Sequence, residues 1–78
     1  MAASDSAKGI LGVFADNKIG PGQVMMLDWL RTLFVRKTQL GGADFEEGLS
    51  YAKERGWVSE HVSQIRLEEA GQEALAST

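Results

Sequence analysis

The clearest periodicity in the chain lies between Asp44 and Gly56. Phe45, Leu49 and Ala52 recur at i, i+4 and i+7, which predicts a helix with one apolar face. Gly41-Gly42 interrupts whatever comes before it. Asp44 is expected to cap the helix, and Glu47, three residues on, has the spacing of a capping box. Both acids also suit the positive end of the helix dipole. Gly56 stands where a left-handed C-terminal cap belongs, with Trp57 next to fold apolar surface back onto the helix. Beyond Gly56 the period shortens to two. Ile65 and Leu67 alternate with Gln64 and Arg66, the pattern of a half-buried strand. Trp57 and Val58 begin its partner strand, and Ser59 to Ser63 link the two.

Ahead of this stretch, Ile10, Leu11 and Phe14 share one face of a predicted first helix. It is capped by Ser4, Asp5 or Ser6 and runs to about Ala15. Gly9 and Gly12 lower its propensity, so it must rely on packing. Asp16-Asn17-Lys18 ends it, and Ile19-Gly20-Pro21-Gly22 is a loop. That loop lacks the Lys-Ser/Thr pair of a phosphate-binding P-loop and reads as a plain connection. Val24 to Val35 is the most apolar part of the chain. It fits either one long buried helix or a strand followed by a helix. Leu30, Leu33 and Phe34 face inward in the helical part, and Thr38 to Ala43 form the next turn, with Leu40 as a plug for the core. Glu68 to Ala76 reads as a short last helix with Ala70, Ala74 and Leu75 as packing residues. Residues 1–5 are expected to be disordered, 6–76 to form one domain, and 77–78 to be a tail.

Composition narrows the picture. Seventy-eight residues make one domain, and a chain of this size buries roughly 60% of its unfolded surface. There is no cysteine, which removes disulfides and thiolate metal sites. No basic stretch followed by an apolar run marks a secretory leader. No apolar segment approaches the ~20 residues that span a bilayer. The expected setting is soluble and cytoplasmic. The net charge of −3 is unlike that of a dedicated nucleic-acid binder, which is usually basic on at least one face.

The run from Leu49 and Ala52, through Arg55-Gly56-Trp57-Val58, to Ile65-Arg66-Leu67-Glu68-Glu69-Ala70-Gly71 resembles the second half of a winged-helix domain. The likeness extends over roughly residues 8–75, and the last run is similar to the strand-to-helix step of small bacterial winged-helix regulators. Glu68 stands where a capping threonine is usual. The resemblance implies an α+β, mostly helical fold: a winged helix-turn-helix with three to four helices and a small antiparallel hairpin, extended to a three-stranded sheet. It also favours dividing the apolar stretch at Asp28, with Val24 to Leu27 a strand and Asp28 the cap of a helix from Trp29 to about Lys37. In DNA-binding members the third helix enters the major groove. A fold does not by itself assign a function.

Two sets of candidate residues follow. The outer face of the third helix carries Ala43, Glu47, Ser50 and Glu54, flanked by Glu46, Lys53 and Tyr51. It is acidic and has no central base, and the linker from Ser59 to Ser63 holds no lysine or arginine. With surplus apolar surface at Met25, Met26, Trp29 and Val35, this predicts docking on a protein or self-association. The protein-interaction set is therefore Glu46, Glu47, Ser50, Glu54, Met25, Met26 and Trp29. The alternative is a dimeric DNA-binding regulator, using the cluster Arg31, Arg36 and Lys37 with Lys53, Gln64 and Arg66 as helpers. Such contacts would position rather than specify. An enzyme is not expected. His61 has no ligand set around it. Glu46, Glu47 and Glu54 lie on a solvated face without the burial that separates catalytic carboxylates. No cofactor is implied.

Overall fold

The computed structural model of the protein describes residues 3–76. In order the elements are α1 (Ala3–Asp16), β1 (Val24–Met26), α2 (Leu27–Thr38), α3 (Gly42–Glu54), β2 (Val58–His61), β3 (Gln64–Leu67) and α4 (Glu69–Ala76). The fold is α+β and mostly helical. Its sheet has the strand order β1-β3-β2, antiparallel throughout. Ile65 and Leu67 are buried and Gln64 is exposed, as the alternation requires. Ile10, Leu11 and Phe14 of α1 meet Leu30 and Phe34 of α2 and Phe45, Leu49 and Ala52 of α3 in one core. Phe34 and Phe45 pack edge to face with ring centroids 5.4 Å apart.

The exit of α3 forms as its sequence predicts. Gly56 is left-handed at φ 73. The N–H of Trp57 donates to the carbonyl of Ala52 at 2.9 Å, and that of Gly56 to Lys53 at 3.1 Å. These two bonds together are a Schellman cap. Trp57 then folds back, its ring 5.6 Å from Tyr51.

Several boundaries differ from expectation. The side-chain caps expected for α2 and α3 are absent. α2 starts at Leu27 with Met26 as its N-cap, and Asp28 lies inside the first turn. The first amide is satisfied from elsewhere: Leu27 N–H donates to Ser63 O of the hairpin at 2.8 Å, so the strand ladder runs straight into the helix. α3 starts at Gly42 with Gly41 as its N-cap. Gly41-Gly42 thus opens the helix instead of interrupting the chain before it, and Asp44 forms no capping box with Glu47. The turn between α2 and α3 is Gln39-Leu40-Gly41, half the predicted length. Gln39 closes α2 in the left-handed region at φ 60. The hairpin link is tighter too. Register pairs His61 with Gln64, leaving Val62-Ser63 as the whole turn.

At the ends, α1 begins at Ala3, so residues 3–5 are helical and Ser6 is fully buried instead of capping. The remainder of the expected disordered start, residues 1–2, and the tail at 77–78 lie outside the described residues. In α4, Ala70 is exposed, and Gly71 is the buried position. A Cβ at Gly71 would collide with the Trp57 carbonyl oxygen.

Candidate interaction surfaces

α3 turns Phe45, Leu49 and Ala52 inward, which leaves Ala43, Glu46, Glu47, Ser50 and Glu54 exposed on its back. Glu46 at one margin is engaged: its Oε1 accepts from Arg31 Nη2 of α2 at 3.3 Å. The Arg31 guanidinium also lies 5.6 Å from the Phe45 ring centroid. Lys53 at the other margin reaches away to Glu60 of β2 at 2.9 Å. Arg55 rests over the Tyr51 ring at 4.9 Å. Glu47 and Glu54 make no ion pair among the described residues.

Most of the residues expected to meet phosphates are engaged by acids within the fold. Arg31 is held by Glu46, Lys37 by Asp16 at 2.7 Å, Lys53 by Glu60 and Arg66 by Glu68 at 3.1 Å. Each of these acids comes from a different part of the fold. Among the five candidate cations Arg36 alone makes no ion pair within the described residues. Gln64 is exposed on the outer face of the sheet, with its amide nitrogen 3.9 Å from the Met26 sulfur.

The apolar candidates divide. Met25 is 6% exposed and belongs to the core, because on β1 it faces opposite to its neighbours Val24 and Met26. It is therefore withdrawn from the docking set. Met26, Trp29 and Val35 are exposed. Val62 at the hairpin tip is exposed as well, to 96%. Its place in the predicted linker already set it outside the strands, and the register puts it at the tip of a two-residue turn.

A polar network that sequence reading missed covers the outer face of the sheet. Strand pairing sets Ser59 beside Arg66 and His61 beside Gln64. Ser59 Oγ donates to Glu68 Oε2 at 2.5 Å, and Arg66 Nε donates to the same oxygen. His61 Nε2 lies 3.0 Å from Ser59 Oγ. The hydrogen bond from Ser59, then that from Arg66, holds the Glu68 carboxyl below its ordinary range. Because Ser59 donates to the carboxylate, His61 is not placed to take its proton, and the trio lacks the geometry of an activated nucleophile. A shallow depression of about 440 Å³ lies beside it, lined by Pro21, Gly22, Arg66, Glu68 and Glu69. Arg66 is already bonded there, and two carboxylates face the opening.

No group of three or more histidine, aspartate or glutamate side chains is arranged to hold a metal ion among the described residues. None of the described helices is long and apolar enough to cross a membrane. No protein-family model, no curated protein and no solved structure matches this chain.

Proposed function

We propose that this chain is a non-enzymatic winged-helix module that binds another protein in the cytoplasm, with the outer face of α3 as the contact surface. Support for the winged-helix reading is the element order from α1 to α4, the three-residue turn into α3 and the hairpin with its two-residue tip. The observation that carries the functional reading is charge. Glu47, Ser50 and Glu54 stand on the helix that a DNA-binding member would lay in the major groove, while four of the five candidate cations are neutralised within the fold. A phosphate backbone would be repelled by that face, whereas a partner with lysine or arginine side chains would be attracted to it.

The test is fluorescence anisotropy with a random DNA duplex at about 50 and 200 mM salt. The expected result is no binding at either. Tight binding that falls steeply with salt overturns the proposal in favour of the DNA-binding alternative. In parallel, Glu47→Lys with Glu54→Lys is expected to abolish capture of protein partners that the unaltered chain retains. Retention of the same partners by the variant removes the α3 face from the proposal.

A further inference from the structure

The outward face of α2, with Asp28, Trp29, Thr32, Val35 and Arg36, is exposed among the described residues. At about 100° per residue, Asp28, Thr32 and Arg36 form one row, and Trp29, Thr32 and Val35 form a second. The rows cross at Thr32. Trp29 is 51% and Val35 38% exposed, and the Asp28 side chain is 97% exposed. Thr32 Oγ donates to the Asp28 carbonyl at 3.0 Å, so its hydroxyl hydrogen is already used. The Asp28 carboxylate has one cation nearby, Arg31 at 4.0 Å, and that arginine is held more closely by Glu46 at 3.3 Å. Arg36 makes no ion pair among the described residues. An under-used carboxylate and an unpaired guanidinium therefore stand at equal distances on either side of Thr32, about 12 Å apart at 1.5 Å per residue.

We propose that this face is a homodimer interface, in which α2 packs antiparallel on α2 of a second copy about a twofold axis at Thr32. Reversal of direction carries Asp28 onto the partner's Arg36, and Arg36 onto the partner's Asp28. A twofold interface must be complementary to itself. This face satisfies that condition because its two ends carry opposite charge; like charges at both ends would repel the copy. Laying the Asp28–Thr32–Arg36 row along its own copy corresponds to a crossing angle near −50°. Trp29 and Val35 then flank the crossing on opposite sides. Two helices of 12 residues offer limited area, so the association is reversible and falls at the weak end of specific interfaces, with dissociation between about 10 µM and 1 mM. The surface is distinct from the acidic back of α3, and its test requires no other protein, so failure here leaves the reading of α3 untouched.

Sedimentation equilibrium at low salt tests it, with circular dichroism as a check that each variant is folded. A monomer–dimer equilibrium is expected. Asp28→Arg alone and Arg36→Asp alone each set like charges opposite one another at both ends, and each is expected to weaken the dimer by about three- to tenfold. The double exchange restores it, and an equimolar mixture of the two single variants forms a heterodimer tighter than either variant alone. Trp29→Ala also weakens association. A monomer up to about 1 mM overturns the proposal. So does a dimer indifferent to both single reversals, or a double exchange that fails to restore binding.

Discussion

Gly48 on α3 lies so close to Ser6 on α1 that a Cβ at the glycine would sit 2.7 Å from the Ser6 Cβ and 2.7 Å from its backbone carbonyl carbon. Side-chain rotation cannot relieve a clash with backbone, so the two helices would have to separate. Gly48→Ala is expected to destabilise the fold by about 1–3 kcal/mol, despite alanine's better helix propensity. Gly42→Ala is the control, since nothing lies within 4 Å of where a Cβ would stand there. That change is expected to stabilise by about 0.5–1 kcal/mol. Urea denaturation of both variants reads the contrast.

Ser6 is fully buried and its hydroxyl has no hydrogen-bond partner among the described residues. A buried hydroxyl without a partner costs about 1–3 kcal/mol. Ser6→Ala removes that cost and adds helix propensity while keeping the Cβ at the crossing. A gain of about 1 kcal/mol is expected, read as a higher urea midpoint with an unchanged slope.

The hairpin tip places Val62 at φ 37 and Ser63 at φ 65. Positive φ at both central residues is the mark of a type I′ turn, which favours Asn-Gly. A β-branched residue there is strained. Val62→Asn with Ser63→Gly is expected to raise stability by about 1–2 kcal/mol, measured by thermal unfolding.

Glu68 provides a pH signature. Its folded pKa is lowered from 4.5, first by the hydrogen bond from Ser59 and then by that from Arg66. A depressed carboxylate pKa means that the unfolded state binds the proton more readily. The stabilisation is therefore present above pH 4.5 and is lost as pH falls through the lower folded value. Glu68→Gln should be less stable than the unaltered protein at pH 6, with the difference shrinking as acid is added. Carbon NMR titration of Glu68 in Ser59→Ala should give a higher pKa than in the unaltered chain. An unchanged value would remove Ser59 as the principal cause.

Features set within a few residues of chain are legible in the order of residues alone. The Schellman exit at Gly56 depends on bonds from Gly56 and Trp57 to Lys53 and Ala52, and on glycine's access to positive φ. The inward face of α3 and the alternation of β3 follow from fixed side-chain periods. Local pattern is therefore enough to read α1, α3, the β2–β3 hairpin and the acidic back of α3, whereas it leaves Val24 to Val35 open between one helix and a strand followed by a helix, and β1 is favoured by the winged-helix resemblance alone. Packing settled whatever depended on distant chain. The first amide of α2 is satisfied by Ser63, so the expected cap at Asp28 was not needed. Gly48 is required by Ser6, 42 positions away. Arg31, Lys37, Lys53 and Arg66 read as available cations until folding set Glu46, Asp16, Glu60 and Glu68 beside them. Periodicity assigns a residue to a face, but only packing sets which opposite charge meets it, because Coulomb attraction acts across space without regard to separation along the chain.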